Sequence, residues 1–327
     1  MDRGPHAASG EDFALTQPRI LIGPSSFGVV DSAPVERLRD AGFDVTLNPF
    51  NRKLTERELL DLLPGVVGLI AGLELLSGAV LERSELRVIS RSGAGMSNVD
   101  LDAARRLGIV VRSTPDAPAS AVAELTVGAM LSLLRRIVPM NASLHEGAWT
   151  RLPGGQIEGR TVAVVGFGRI GRRVARLLLA FGAQVIAVDP DVSSVDPPIA
   201  LATLDDALPR ADIVTLHASG DTMVLGPGEL LRLKPGALVL NAGRGGMVDE
   251  ASLCRALDAD RIAGAWIDVF SEEPYSGPLT RYPQVLLTPH AGSFTAECRR
   301  QMEMEAVENL LDALQGTDGR RIQMGGI

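Results

Sequence analysis

The chain has 327 residues and a formal net charge of −8, too long for one ordinary hydrophobic core and suited to two domains; the acidic balance argues against a nucleic-acid backbone as partner. No apolar run approaches the roughly 20 residues that span a bilayer, so no membrane partner is expected. The two cysteines, Cys254 and Cys298, form neither a CxxC pair nor a metal-ligand spacing, so a reduced, cytoplasmic setting without a metal is expected.

Residues 1–18 are polar, carry glycine and proline and have no secretory core, so a disordered N-terminus is expected there. Short unbroken apolar runs follow at 20–23, 45–47, 67–71, 88–91 and 110–113, with helical patterns between them at 33–41, 55–63, 75–83 and 100–107. Strands that are apolar on both faces and alternate with helices predict a parallel sheet covered on both sides. Residues 119–137 read as a long helix rich in Ala, Leu and Val. It is too apolar to face water and is expected to pack between domains or against a second subunit.

A second series begins at residue 160. Its strands are predicted at 161–165, 184–188, 213–216, 237–241, 262–268 and 285–288, and its helices at 170–181, 204–208, 228–233 and 250–258. A polar helix at 295–314 ends the pattern and can return to the first domain. The fold class is therefore α/β, with two Rossmann-like doubly wound parallel-sheet domains and the active site in the interdomain cleft, at the carboxyl ends of the strands. The expected division is 19–117 plus 293–327 for a substrate domain and 118–292 for a dinucleotide-binding domain.

The stretch VAVVGFGRIGRRVARLLLAFGAQVIAVD carries Gly166, Gly168 and Gly171 between a buried strand and an amphipathic helix. A lone G-x-G-x-x-G is weak, but here the flanking strand, the helix and a terminal acid are all present. Gly166 permits the tight turn, Gly168 lets the backbone approach a pyrophosphate, and Gly171 lets helix and strand pack closely. Asp189, 23 residues after Gly166, can accept hydrogen bonds from ribose hydroxyls and would repel a 2′-phosphate, which favours NAD over NADP.

Three polar segments end strands of the second series. LVLNAGRGGMVDE places Arg244 in a glycine loop, AWIDVFSEEP places Asp268 at a strand end with Glu273 beyond it, and LLTPHAGSF places His290 after the last strand. An arginine can hold a carboxylate in bidentate fashion. A histidine can exchange a proton near neutral pH, and a carboxylate beside it can orient the ring. With a nicotinamide alongside, these parts suit alcohol-to-carbonyl oxidation next to a carboxylate. Each residue alone has a bland alternative: a capping arginine, a solvated Glu272–Glu273 turn, a structural histidine. It is their coincidence with the glycine loop that points to a site.

The chain resembles the D-isomer-specific 2-hydroxyacid dehydrogenases, and most of all their phosphoglycerate dehydrogenase branch. The segments that carry the resemblance are RSGAGMSNVDLDAARRLGIVV, AVAELTVGAMLSLLRRI, GRTVAVVGFGRIGRRVA, LKPGALVLNAGRGGMVDE, IAGAWIDVFSEEP and LLTPHAGSFT. It implies an NAD-dependent oxidoreductase interconverting a small D-2-hydroxy acid and its 2-keto acid, with a phosphoglycerate-like acid among the candidates, acting as a homodimer with the 119–137 helix and the Trp149 region between subunits. Arg244 would hold the substrate carboxylate, Glu273 would partner His290, and His290 would be the acid/base.

The amides of Ala94 and Gly95 would help bind the carboxylate, with Ala94 also near the nicotinamide. Cofactor contacts carry over to Arg169, Ile170, Ala218, Ala242, Asp268 and Gly292. Arg52 and Arg91 are candidates for the substrate's distal end. Three departures stand out: HASGD after the eighth predicted strand where a small residue and Pro are usual, Gly243 where Ala or Ser is common, and Trp266 where a small residue is typical. Gly243 is expected to be tolerated, and Trp266 to fill a domain or subunit contact. The chain stops near residue 327, so no C-terminal regulatory domain and no serine feedback are expected. The alternatives are a nucleotide-sensing corepressor of the C-terminal-binding-protein type and a phosphite- or formate-type dehydrogenase. The phosphoglycerate-like NPFNRKLTERE segment argues against the latter.

Overall fold

The computed structural model describes residues 17–220 and 222–317. The expectation of a disordered N-terminus lies outside them except for its last two residues. The chain divides into two compact units. One comprises Met1–Ser90, Asn98–Arg112 and Ala306–Ile327, the other Arg91–Ser97 and Ser113–Glu305. These joins differ from the 117/118 and 292/293 boundaries expected from sequence, and the second unit also takes in the short Arg91–Ser97 loop.

The first unit holds β1 (Arg19–Ile22), α1 (Ala33–Asp40), β2 (Asp44–Leu47), α2 (Glu56–Leu62), β3 (Val66–Ala71), α3 (Gly78–Glu82), β4 (Val88–Arg91), α4 (Leu101–Leu107) and β5 (Val110–Ser113). Its sheet order is β2-β1-β3-β4-β5, a doubly wound arrangement. Helix α3 starts later than the 75–83 expected from sequence. Leu76 instead bridges to Val99, and Ser77 caps the helix by accepting from the Val80 amide at 3.4 Å.

The second unit holds α5 (Pro118–Leu134), α6 (Ile137–His145), β6 (Thr161–Val165), α7 (Arg169–Ala180), β7 (Gln184–Val188), β8 (Ala200–Leu201), α8 (Leu204–Ala207), β9 (Ile213–Leu216), α9 (Pro227–Arg232), β10 (Ala237–Asn241), α10 (Glu250–Asp258), β11 (Ile262–Ile267) and β12 (Val285–Leu287). The last helix, α11 (Ala296–Thr317), begins in this unit and ends in the first. All six strand pairs of the order β12-β11-β10-β9-β6-β7-β8 are parallel. The order reverses direction between β6 and β9, where a doubly wound sheet opens a crevice for a ligand. Strand β8, two residues on the sheet edge, is too short to leave a sequence pattern.

Strand alternation explains the cores. In the first unit Ile20, Ile22 and Val88 face Ala306, Val307 and Leu310 of α11, while Leu21, Leu69 and Ile89 pack on the opposite face. In the second unit the apolar helix α5 packs on α7 and β11. Its Ala123, Val127, Met130 and Leu134 join Val174, Leu178 and Trp266 in one buried cluster. Burial of each Val, Leu or Met in it contributes about 1.5–3 kcal/mol. One side of this apolar segment is thus covered by its own unit's sheet and by α7. Trp266 is likewise fully buried inside that cluster, not at a domain or subunit contact.

The long helix also ends earlier than expected. Arg136 adopts the left-handed conformation, φ +51°, and redirects the chain into α6, none of whose residues is buried. Among the described residues no helix is long and apolar enough to cross a membrane.

Candidate active site

The glycine loop joins β6 to α7 at the switch point of the second sheet. Gly166 has φ +86°, and a Cβ there would lie 2.5 Å from Ala218 Cα and 2.6 Å from His217 C. Both conditions demand glycine. A Cβ on Gly171 would overlap the Gly166 carbonyl, so helix and strand pack at closest approach. Around Gly168, by contrast, a Cβ would meet nothing within 4 Å. That open space lies over the N-terminus of α7, a 12-residue helix whose first amides favour an anion.

Asp189 follows β7, half-buried. Its Oδ2 accepts from the Phe167 amide at 2.7 Å and its Oδ1 from the Asp191 amide at 2.9 Å. The carboxylate is thereby fixed at the rim of the loop. Ala218 and Ala242 continue β9 and β10; the Ala242 amide donates to Leu216 O at 3.1 Å. Ile170 packs half-buried against the α5–α7 core, while Arg169 is exposed and pairs with Asp116 at 2.5 Å. A dinucleotide fits these residues: open space at Gly168, free helix-start amides, and an oriented carboxylate one strand away.

Arg244 stands in the loop after β10. Buried Asn241 ties that loop by accepting from the Gly243 amide at 3.1 Å and donating to Arg244 O at 2.9 Å. Arg244 Nη1 donates to Gly243 O at 2.7 Å. The guanidinium lies against Gly95 of the Arg91–Ser97 loop in the same unit, where a Cβ would sit 2.9 Å from Arg244 Cζ and overlap Nη2. Among the described residues the amides of Ala94 and Gly95 donate to no protein acceptor. An arginine fork beside two unengaged amides is a ready carboxylate cradle. Gly243 is used rather than merely tolerated, since a Cβ there would lie 2.7 Å from Met247 Sδ and 3.1 Å from Ala218 O.

His290 follows β12 in the left-handed conformation, φ +52°. Its Nδ1 lies 3.1 and 3.0 Å from the two carboxylate oxygens of Glu273, and Glu273 Oε1 also accepts from the Phe270 amide at 3.1 Å. A carboxylate only accepts, so Nδ1 carries the proton and Nε2 is the ring atom left for a substrate. Both side chains keep about a third of their surface, 34% and 28%. Gly245, next to Arg244, is packed so tightly on Phe270 and Ser271 that a Cβ would overlap their backbone. The Arg244 loop and the Glu273 loop are therefore held together.

Asp268, expected among the cofactor contacts, is only 2% exposed. Its carboxylate accepts from Thr288 Oγ1 and from the Ala291 and Gly292 amides, at 2.5, 2.8 and 2.9 Å. Its place is beneath the His290 turn, and Gly292 is buried there with it. The two arginines expected at the substrate's distal end have protein partners. Arg52 forms a two-point pair with Glu58 at 2.8 and 2.6 Å. That guanidinium first, then the Thr55 amide, holds the Glu58 carboxyl down at about 2. Arg91 is buried, with its Nη1 turned back onto Ser92 O.

His217, not singled out as a site residue from sequence, has Nε2 2.8 Å from Thr215 Oγ1, while its Nδ1 is buried without a partner. Burial pushes this imidazole down to about 3, so it stays neutral.

The family model for the NAD-binding domain of D-isomer specific 2-hydroxyacid dehydrogenases matches residues 127–292. A D-3-phosphoglycerate dehydrogenase of Mycobacterium tuberculosis is 39% identical over 241 residues, covering 71% of this chain and 46% of that protein. A hydroxypyruvate reductase of Thermotoga maritima is 34% identical over 272 residues, covering 80% and 89% respectively. Among solved structures, a glyoxylate reductase from Paecilomyes thermophila superposes with a TM-score of 0.82 at 26% identity, over 93% of this chain and 97% of that one. The chain spans about half the length of the phosphoglycerate dehydrogenases it matches.

Proposed function

This chain belongs to the D-isomer specific 2-hydroxyacid dehydrogenase family, and from that premise we propose that it is an NAD-dependent oxidoreductase interconverting a small D-2-hydroxy acid and its 2-keto acid. The observation that carries the reading is the Arg244 guanidinium against Gly95, beside unengaged amides, in the unit that also holds the His290–Glu273 pair. Arg244 and the amides of Ala94 and Gly95 bind the substrate carboxylate and fix C2. His290 Nε2 takes the C2 hydroxyl proton in oxidation and returns it in reduction. Glu273 keeps the proton on Nδ1 and balances the charge the ring acquires. A nicotinamide held by the residues of the glycine loop would supply the hydride chemistry at C2.

Gly166, Gly168 and Gly171 receive the pyrophosphate at the start of α7. Asp189 takes the ribose hydroxyls and disfavours a 2′-phosphate, so NAD is preferred over NADP. Neither Arg52, paired with Glu58, nor Arg91, buried under its own loop, supports a dedicated phosphate pocket. The substrate is thus a 2-keto or 2-hydroxy acid without a required phosphate. The setting is cytoplasmic, in keeping with two free cysteines. The exposed apolar stretch of Ile137, Val138, Leu144 and Trp149 supports a homodimer. The test is to mix protein, NADH and a panel of phosphorylated and unphosphorylated 2-keto acids and follow the nicotinamide absorbance. Turnover on at least one is expected. NADH binding with turnover on none would sink the reading.

A further inference from the structure

Trp266 sits on β11, fully buried in the α5–α7 core. Its indole Nε1 donates to Thr288 Oγ1 at 2.9 Å, and Thr288 Oγ1 donates in turn to Asp268 Oδ1 at 2.5 Å. The direction of this chain is fixed by chemistry. An indole N–H can only donate, and a hydroxyl carries a single proton. With the Thr288 oxygen accepting from Trp266, its own proton is committed to Asp268. The carboxylate then has donors on both oxygens, Thr288 and Ala291 on Oδ1 and Gly292 on Oδ2. All are neutral; among the described residues no cation pairs with Asp268.

The two amides so held belong to the residues that follow His290. The His290 amide itself donates to Asp268 O at 2.8 Å. A non-glycine residue at φ +52° persists only where its surroundings over-determine it. Asp268 supplies that constraint through its carbonyl and both carboxylate oxygens, and Thr288 and Trp266 fix the rotamer of Asp268.

We infer that Trp266 is a positioning residue for His290, acting through Thr288 and Asp268, and not a core filler alone. The relay orients the His290 turn, and with it the line along which Nε2 meets the substrate hydroxyl. This rests on the reading of His290 as the proton-exchanging group. The bland alternative assigns Trp266 to packing only. Trp266→Phe removes the donor but also shrinks the ring, so its effect is read beside Thr288→Val, which breaks the same relay and leaves the indole in place. Thr288→Val deletes the hydroxyl at nearly constant volume, and Thr288→Ser restores it.

The experiment pairs hydrogen–deuterium exchange on the intact protein with steady-state kinetics. In Trp266→Phe and Thr288→Val, exchange at the amides of residues 290–292 is expected to rise about tenfold over wild type while distant strands stay protected. The kcat for keto-acid reduction is expected to fall about ten- to a hundredfold with the NADH dissociation constant unchanged. Thr288→Ser is expected to recover both. Wild-type exchange at 290–292 in Trp266→Phe overturns the inference, as does faster exchange with wild-type kcat. A wild-type protein that reduces no keto acid sinks the proposed activity instead. In that case the exchange data alone decide the relay, with faster exchange at 290–292 supporting it.

Discussion

His290 and Glu273 meet through a single ring nitrogen: Nδ1 lies 3.0 and 3.1 Å from the two carboxylate oxygens, and Nε2 bonds to neither. Glu273→Gln keeps an acceptor near Nδ1 and removes the charge. Its kcat is expected to fall about a hundredfold or more, with NADH binding intact. Steady-state kinetics beside a fluorescence titration of NADH check this. A Glu273→Gln enzyme as fast as wild type would remove Glu273 from the mechanism.

Gly95 and Arg244 give a second prediction. A methyl on Gly95 would overlap the guanidinium, displacing the anchor without deleting its charge. Gly95→Ala is expected to raise the KM for the keto acid about tenfold or more, and so is Arg244→Lys, which loses the fork. NADH affinity should stay within error. An unchanged KM in Gly95→Ala would show that the carboxylate sits elsewhere.

Asp189 bonds the amide of Phe167, a residue only 2% exposed. Asp189→Ala therefore has two consequences. Leaving that donor unsatisfied costs about 1–3 kcal/mol, read as a lower melting temperature of the protein without cofactor. Loss of the ribose acceptor narrows the preference for NADH over NADPH, read by calorimetric titration of both. A variant that keeps full discrimination would contradict the role given to Asp189.

His217 predicts a pH dependence. Its folded-state value is depressed from 6.5 to about 3 by burial. Between those values the unfolded chain binds a proton that the folded chain does not, so stability falls as pH drops below 6.5. The loss at about pH 5 is ~2 kcal/mol. Urea unfolding of wild type and His217→Asn at pH 7.5 and at pH 5 measures it. The gap between the two pH values should shrink by about that amount in the variant, and an equal gap in both proteins refutes the assignment.

Trp149 is 82% exposed, and Ile137, Val138 and Leu144 shortly before it in the chain are exposed as well. If a second copy covers this stretch, Trp149→Glu should shift the protein from dimer to monomer in sedimentation equilibrium without altering its unfolding midpoint extrapolated to low concentration. A wild-type monomer at micromolar concentration would end the dimer proposal.

Much of this was legible in one dimension. The apolar runs at 161–165, 184–188 and 237–241 coincide with β6, β7 and β10, because strands buried on both faces cannot hide their composition. The spacing of Gly166, Gly168 and Gly171 announced the loop: sterics at Gly166 and Gly171 admit little else, and Gly168 leaves open space for a ligand. Helix α5 was legible as a helix but its cover was not, since an all-round apolar helix reads the same whether it packs on a sheet of its own unit or on another chain; the structure packs it on α7 and β11. The partners of Arg52 and Arg91 were not legible either: a basic residue type does not name the group it meets, here Glu58 for one and a carbonyl of its own loop for the other.

Local pattern was enough for the strands, the dinucleotide turn and the polar residues ending β10, β11 and β12, because periodicity and glycine sterics act between near neighbours in sequence. The engagement of Asp268 by Thr288 and by the turn after His290, the contact of Arg244 with Gly95, and the burial of Trp266 with its donor aimed at Thr288 join residues 20 to about 150 positions apart. Hydrogen-bond partners at such separation are chosen by how parallel strands register side by side, and no local rule encodes that choice.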